Sequence, residues 1–268
     1  MCALLKPLSI LLTNDDGIHA EGLWALYRAL QGRHNVTVIA PDRERSAVGH
    51  GITLHRPLRT AQVTVNGGFK GWAVNGTPAD CIKLAVLELL KGRPDLVISG
   101  INPGANVGVN LNYSGTVAAA KEAAIYGLNA MAVSIQGAAK PYYESAAEFV
   151  ARVAPLVNSR GLPRGTFLNI NVPNMPSNRI GGVRLSHQGT EIYDEYIDKR
   201  QDPRNRTYYW QGGESMPPFS HDQSDGAVLS ADLISITPVR CDMTDYDALE
   251  ELRTWNLDNG YGASPRRR

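Results

Sequence analysis

Residues 10–22 read ILLTNDDGIHAEG and join an apolar run to two adjacent carboxylates, Asp15 and Asp16. We predict a buried strand over residues 8–13, centred on the uninterrupted apolar run Ile10, Leu11 and Leu12. A helix should follow, since apolar side chains recur at i, i+3, i+4 and i+7 at Leu23, Leu26, Tyr27 and Leu30. The stretch therefore predicts a strand, a turn and a helix, with both carboxylates in the turn.

The same alternation continues along the chain. A well-signalled helix start lies at Thr77, an N-cap residue followed by Pro78 and by the first-turn carboxylate Asp80. Further helices are expected from Thr116 to Gly127, from about Tyr143 to Val157 and, near the C-terminus, around TDYDALEELRTW. The predicted strands after the first cover residues 35–40, 71–74, 94–100, 130–135, 166–173 and 231–239. Repeated strand–helix alternation predicts an α/β fold with a doubly wound, mostly parallel sheet.

One stretch does not show this alternation of strands and helices. Residues 174–230 are polar and rich in turn residues and show no helical period, so we expect hairpins or an extended arm there, outside the core. The chain is read as a single domain of residues 1–268. Its parts are a core (1–173 and 231–240), a hairpin and oligomerisation region (174–230) and a C-terminal helix and tail (241–268).

Composition excludes several classes of protein. Lys plus Arg number 27 against 26 Asp plus Glu, and this net charge of +1 provides no field to attract nucleic acid or anionic lipid. The three cysteines have neither disulfide-framework nor zinc-site spacing. The apolar stretch before Asp15 is too short to span a membrane, and no signal cleavage site follows it. We expect a cytoplasmic protein without a nucleic-acid duplex or a membrane as partner.

Four loops collect the unusual polar residues of the chain. In open α/β sheets, ligands bind beyond the carboxyl ends of the strands. The loops concerned are residues 14–22, 41–51, 75–80 and 100–116. Asp15 and Asp16 would repel each other unless a proton or a cation lay between them. Mg²⁺ or Mn²⁺ prefers such oxygen ligands, and neutral ones are available at Ser46, Asn102, Asn106 and Asn112. A plain Asn-Asp-Asp-Gly turn explains the same residues, so both interpretations stay open.

The loop of residues 100–115 is rich in glycine and leads directly into a helix. Freed backbone N–H groups and a helix N-terminus make an anion site, although the same glycines also suit simple turns. The loop is neither a Walker A loop nor a G-x-G-x-x-G fingerprint, which disfavours kinases and nicotinamide dehydrogenases. The sequence also lacks H-E-x-x-H and G-x-S-x-G, which disfavours zincins and α/β-hydrolases.

Other polar and aromatic residues have a structural and a functional interpretation. His19 or His50 could assist proton transfer, or be a hydrogen-bonded loop histidine. The pair of Arg43 and Arg45 could bind phosphate or be solvated at the surface. A base-stacking surface or a packing and subunit contact could be formed by Tyr208, Tyr209 and Trp210.

Four ordered motifs carry a resemblance to a known family. ILLTNDDG, APDRERSAVGHGITL, NGTPADC and SGINPGANVGVNLNYSGTVAAAKEA resemble the SurE family of stationary-phase survival proteins, which are metal-dependent 5′/3′-nucleotidases. DPRNRTYYWQGG and DLISITP extend the likeness to about residue 240. The resemblance implies a Rossmann-like core, an extended hairpin region and a C-terminal segment exchanged between subunits of a homodimer or homotetramer.

The resemblance also implies the site residues. One divalent cation per subunit, Mg²⁺ or Mn²⁺, would be held by Asp15, Asp16, Ser46 and Asn102, and Asp15, Asp16 and Asn102 would be catalytic. The family's phosphate-binding stretch falls on Asn106, Ser114, Gly115 and Thr116. The expected reaction is hydrolysis of nucleoside 5′-monophosphates, with 3′-monophosphates as a further substrate class.

The sequence departs from the family in places and leaves alternatives open. Glu21 stands where a proline is expected, and residues 187–200 and 255–268 follow no family pattern. A non-catalytic sensor that binds a metal and a nucleotide is an alternative, and glycosyl transfer from a nucleotide sugar is another. Which of Asp15 and Asp16 acts as base stays open, as does a covalent aspartyl-phosphate.

Overall fold

The structure, a computed structural model, describes residues 6–65, 67–137, 139–190, 195–213, 221–255 and 257. These residues form eleven strands and six α-helices. The strands are β1 (Ser9–Thr13), β2 (Asn35–Pro41), β3 (Thr60–Val65), β4 (Phe69–Val74), β5 (Leu96–Asn102), β6 (Ala130–Ile135), β7 (Thr166–Val172), β8 (Val183–Leu185), β9 (Glu195–Gln201), β10 (Thr207–Gly213) and β11 (Ile234–Arg240). The helices are α1 (Glu21–Leu30), α2 (Pro78–Leu84), α3 (Gly115–Ile125), α4 (Tyr143–Arg160), α5 (Asp225–Ser230) and α6 (Tyr246–Arg253).

Nine strands form one sheet in the order β3-β4-β2-β1-β5-β6-β7-β11-β8. The six strands from β4 to β7 in this order are parallel, whereas β3 is antiparallel to β4 and β11 is antiparallel to β7. From β1 the chain proceeds outward to β2, and from β5 it proceeds outward the other way to β6. The strand order therefore reverses between β1 and β5, where an open α/β sheet binds its ligand. The predicted α/β class and mostly parallel sheet are confirmed.

Two apolar layers hold the helices on the sheet. Helix α1 packs against α4, and the cluster beneath them includes Leu12, Leu26 and Phe149. Helix α2 packs against α3, and their cluster includes Leu11, Ile82 and Phe167. The alternation of Leu11 and Leu12 between the two clusters follows from the two-residue period of a strand. A strand buried on both faces needs the apolar run that the sequence provides.

The region after β7 corrects the sequence-based interpretation. Strands β9 and β10 form the expected antiparallel hairpin. The same region also adds β8 to the main sheet and contains α5, whose Asp225, Val228 and Leu229 are buried. The prediction that residues 174–230 lie outside the core is therefore wrong for this helix. Six residues are too few for a helical period to be visible in a sequence.

Other differences lie at the edge of the sheet and at the C-terminus. Strand β3 is not predicted, because its TAQVTV sequence is short and mostly exposed. The predicted C-terminal helix is present as α6, and none of its residues is buried. None of the helices in the described ranges is both long and apolar enough to cross a bilayer.

Candidate active site

The turn after β1 is built by Asn14 and Gly17. The Asn14 side chain donates to the Gly17 carbonyl at 2.9 Å and accepts from the Gly17 N–H at 3.2 Å. Gly17 has a φ of +98°, and a Cβ there would lie 2.9 Å from the carbonyl carbon of Arg43. This position requires glycine, because both the left-handed backbone and the close approach of the Arg43 loop exclude a side chain.

Asp15 points toward the N-terminal end of α3. Its Oδ1 accepts a 2.5 Å hydrogen bond from the Thr116 hydroxyl, and its side chain lies against Gly115. A Cβ at Gly115 would lie 2.7 Å from the Asp15 Cβ. Burial raises the pKa of Asp15, and the Thr116 hydrogen bond opposes that rise. The carboxylate is therefore fixed in position at an electrostatic cost.

Of the two carboxylates in the turn, Asp16 has fewer interactions that stabilise its negative charge. Its Oδ2 is buried and has no hydrogen-bond partner among the described residues. Burial, followed by the negative charges of Asp15 and Glu44, raises the pKa of Asp16 to about 7. A buried carboxylate oxygen without a donor, next to a second carboxylate, fits a divalent cation, since a cation relieves both the repulsion and the missing contact.

The loop after β2 brings Ser46 to this turn. The Arg45 N–H donates to the Asp15 carbonyl at 2.7 Å, which joins the two loops. The Ser46 hydroxyl donates to Glu44 Oε1 at 2.5 Å, so its oxygen lone pairs remain available to a cation. Glu44 is not among the predicted site residues, because in the sequence it is one of four consecutive charged residues, DRER.

Asn102 ends β5, the strand next to β1 at the point where strand order reverses. Its Nδ2 donates to the Gly104 carbonyl at 2.6 Å, which leaves Oδ1 as an acceptor. Within the described ranges, no group of three or more His, Cys, Asp and Glu could hold a metal ion. A cation at Asp15 and Asp16 would therefore need neutral oxygen ligands, which Ser46 and Asn102 can supply.

Ser114 forms the N-cap of α3. Its hydroxyl accepts from the Val117 N–H at 3.2 Å, and the backbone N–H groups of Gly115 and Thr116 begin the helix. These groups have no acceptor within the helix, so the helix end can bind an anion. Thr116 also contacts Asp15, so the turn predicted to bind phosphate touches the carboxylate pair.

Asn106 lies deeper than the sequence analysis expected. Its Nδ2 donates to the Ser134 hydroxyl at 2.8 Å, and its backbone is held by the side chains of Asn169 and Asn171. These contacts anchor the loop between β5 and α3, and the role of Asn106 as a phosphate ligand stays a prediction. Asn112 donates to the Val109 carbonyl at 3.0 Å within the same loop.

A second anchor of this loop comes from a distant part of the chain. The fully buried Asp225 of α5 accepts hydrogen bonds from the backbone N–H groups of Gly108, at 3.0 Å, and Gly189, at 3.0 Å. Gln188 adds a 2.9 Å bond to the Gly108 carbonyl. The only sequence signal was Ser224, which caps α5 just before Asp225.

The other residues with a possible functional role differ in their exposure and in their partners. His50 Nε2 lies 2.7 Å from Glu122 Oε2, whereas His19 is exposed. Arg45 pairs with Asp42 at 3.1 Å, and Arg43 is exposed. The aromatic residues of β10 are also exposed: Tyr208, Tyr209 and Trp210. Cys81 and Cys241 are free, and Cys2 lies outside the described residues.

Comparisons with known proteins agree with this architecture. Residues 10–195 match the family described as Survival protein SurE. The 5′-nucleotidase SurE of Desulfatibacillum aliphaticivorans is 53% identical over 93% of this chain and 98% of the relative. The 5′-nucleotidase SurE of Syntrophobacter fumaroxidans is 49% identical over 92% and 99%.

A solved structure gives the same result. The crystal structure of the SurE protein from Aquifex aeolicus superposes with a TM-score of 0.80 and 35% sequence identity, and the match covers 92% of this chain and 98% of that one. The likeness extends over almost the whole length of both chains. The protein described here therefore belongs to the SurE family.

Proposed function

We propose that this protein is a metal-dependent phosphomonoesterase that hydrolyses nucleoside 5′-monophosphates, and 3′-monophosphates as a further class. The observation that carries the proposal is the buried Oδ2 of Asp16, which has no hydrogen-bond partner among the described residues; the neighbouring Asp15 contacts the N-terminal turn of α3. This arrangement supports a cation site beside an anion site. The names of the relatives, 5′-nucleotidase SurE, support the choice of substrate.

Asp15, Asp16, Ser46 and Asn102 would hold one Mg²⁺ or Mn²⁺. The bound ion would supply Lewis-acid polarisation of a phosphoryl oxygen and a lowered pKa for a bound water. The N–H groups of Gly115 and Thr116 would stabilise charge on the phosphoryl oxygens. Asp15, Asp16 and Asn102 would orient the water, and either carboxylate could accept its proton.

The test is phosphate release from purified protein with adenosine 5′-monophosphate and Mn²⁺, with adenosine 3′-monophosphate in a parallel reaction. We expect stoichiometric adenosine and inorganic phosphate, and loss of both products after chelation with EDTA. Binding of the nucleotide without phosphate release would replace the proposal by a sensor module. Sugar release from a nucleotide sugar without phosphomonoesterase activity would replace it by glycosyl transfer.

We also propose that the protein is a homodimer or homotetramer in the cytoplasm. The exposed aromatic side chains of the β9–β10 hairpin and the unburied apolar side chains of α6 support subunit contacts, including exchange of the C-terminal segment. Light scattering after gel filtration measures the assembly, and a monomeric mass would overturn this part of the proposal.

A further inference from the structure

A cavity of about 140 Å³ lies along α3, beside the proposed phosphate site. Its apolar wall includes Leu111, Val117 and Phe167, and its polar residues include Asn112, Ser114 and Gln188. Ser114 belongs both to this cavity and to the N-terminal turn of α3. A ligand whose phosphate sits on the helix end can therefore extend into the cavity.

The cavity and the carboxylates lie on different sides of α3. Asp15 contacts Gly115 and Thr116, whereas the cavity is lined by Ser114, Val117, Ala118 and Lys121. At 3.6 residues per turn, the mean directions of these two sets differ by about 160° around the helix axis. A phosphate centred on the helix end would thus have the carboxylates on one side and the cavity on the other.

Phosphoryl transfer needs this kind of opposition, because the attacking and leaving oxygens lie roughly in line with phosphorus. In the reaction proposed above, a water oriented by Asp15 and Asp16 would attack from the carboxylate side. The leaving group would then depart toward the cavity. Of the substrate proposed above, the leaving group is the nucleoside, whose oxygen is a poor leaving group unless it receives a proton.

His50 is the cavity residue suited to deliver that proton. Its Nε2 lies 2.7 Å from Oε2 of Glu122, and the other oxygen of Glu122 accepts from Lys83 Nζ at 3.3 Å. Burial alone would raise the pKa of Glu122, but the hydrogen bond from His50 and the charge of Lys83 lower it. An ionised Glu122 accepts a hydrogen bond from Nε2 and fixes the orientation of the ring, so that Nδ1 is the nitrogen left to face a ligand.

The second ring nitrogen faces no competitor among the described residues. No hydrogen bond to His50 Nδ1 occurs within the described ranges, and the ring is partly exposed. The loop that carries His50 is also well fixed, because the Gly49 N–H donates to the Tyr113 carbonyl at 3.0 Å and Thr77 Oγ1 donates to the Gly51 carbonyl at 2.8 Å. The other basic side chains that line the cavity are those of Lys121 and Arg240.

We propose that this cavity receives the nucleoside of the substrate and that His50, held by Glu122, is the general acid that protonates the leaving oxygen. The inference rests on the phosphomonoesterase activity proposed above. When the bond between phosphorus and the nucleoside oxygen breaks, its electron pair stays on that oxygen, which takes the proton from Nδ1. The attacking water gives its proton to the carboxylate side. His50 then regains a proton from solvent and the carboxylate releases one, so the net reaction consumes one water.

The experiment compares two substrates that differ in their leaving group. Adenosine 5′-monophosphate needs a proton on its leaving oxygen, whereas p-nitrophenyl phosphate releases a stable nitrophenolate without one. For His50→Gln we expect kcat on the nucleotide to fall on the order of 10²-fold or more, the usual effect of losing a general acid. The kcat on p-nitrophenyl phosphate should fall by less than about threefold, because its leaving group needs no acid.

Two further variants complete the test. Glu122→Gln should lower kcat on the nucleotide about tenfold and leave p-nitrophenyl phosphate unaffected, because it removes only the partner of His50. His55→Gln serves as the matched control, since His55 is an exposed histidine of the same loop, and it should change neither rate. Equal losses on both substrates for His50→Gln, or no loss on the nucleotide, would overturn the assignment of His50. If the unmodified protein hydrolyses neither substrate, the proposed function itself fails.

Discussion

Asp80 and Asp16 both follow parallel strands of the main sheet, but their pKa values shift in opposite directions. Asp80, at the start of α2, accepts from the backbone N–H groups of Thr77 and Thr53 at 2.9 and 3.0 Å. Burial alone would raise its pKa, but these hydrogen bonds outweigh burial and lower it. Asp16, after β1, has no donor at Oδ2 within the part of the chain that the structure describes, and its pKa rises to about 7.

This difference separates a structural acid from a functional one. The protein supplies Asp80 with the donors that an ionised carboxylate needs, so Asp80 stabilises the fold by itself. No donor among the described residues reaches Asp16 Oδ2, and the negative charges of Asp15 and Glu44 raise the pKa of this group further. An arrangement that destabilises the folded chain is expected where a ligand completes the interactions.

Replacement of Asp16 by Asn gives the largest expected effect. Asn keeps the size of the side chain but removes the charge that would bind the cation, so we expect kcat on adenosine 5′-monophosphate to fall on the order of 10³-fold. Circular dichroism should show an unchanged fold. The matched substitution Asp80→Asn should retain activity within about tenfold, because the Asp80 carboxylate accepts hydrogen bonds from the backbone N–H groups of Thr53 and Thr77 and holds the start of α2. Near-normal activity of the Asp16 variant would remove the distinction between the two acids.

Replacement of Gly115 by Ala tests the position of Asp15 rather than its charge. The new Cβ would lie 2.7 Å from the Asp15 Cβ and 2.9 Å from Oδ2, so the carboxylate must move. A displacement of about 1 Å at a reacting group costs on the order of 10²-fold in rate. We expect that loss in kcat with metal present. The control is Gly92→Ala, where an added Cβ has no neighbour within 4 Å; equal rates for both variants would contradict the packing argument.

Local signals explain what the sequence could predict. The N-cap at Thr77 and its partner Asp80 lie three residues apart, so their capping box was visible as a spacing. The two carboxylates after β1 were visible for the same reason, since an apolar strand leads directly into them. Asp15, Ser46 and Asn102 follow or end β1, β2 and β5, which are adjacent and parallel in the sheet, so the rule that ligands bind at the carboxyl ends of strands selected neighbouring loops.

The contacts that could not be predicted from the sequence join residues that are far apart along the chain. His50 and Glu122 are separated by 72 residues, and Gly108 and Asp225 by 117. Neither pair forms a spacing pattern, and a single sequence gives no register between the elements that carry them. Asn106 was interpreted from its loop alone, whereas its partners Asn169 and Asn171 lie on β7, more than 60 residues away.

Replacement of Asp80 by Ala should act on stability more than on catalysis. The change removes the bond from the Thr77 N–H, which is half of the capping box of α2, and the bond from the Thr53 N–H, which together are worth about 1–2 kcal/mol. A loss of ~1 kcal/mol lowers Tm by about 2–4 °C in a chain of this size. Thermal unfolding should show a drop of that order, with kcat within about tenfold of the unmodified protein. A loss of activity as severe as that of Asp16→Asn, without a change in Tm, would assign Asp80 to the site.

The smallest expected effect concerns pH and the protein without divalent cation. Because the pKa of Asp16 is higher in the folded state than in the unfolded chain, the folded state binds the proton more tightly. The contribution of this group to stability is therefore most favourable below about pH 4, and it is lost progressively as pH rises toward 7. Asn cannot ionise, so Asp16→Asn should raise Tm in EDTA at pH 8 by a few degrees, and by less at pH 5.

Addition of Mn²⁺ should reverse the order of the two Tm values. The cation should raise the Tm of the unmodified protein at pH 8 and leave Asp16→Asn nearly unchanged, because ligand binding stabilises only a folded state that binds it. Differential scanning fluorimetry measures Tm of both proteins at pH 5 and pH 8, each with EDTA and with Mn²⁺. A Tm that falls on Asp16→Asn at pH 8 in EDTA would mean that Asp16, like Asp80, stabilises the fold by itself.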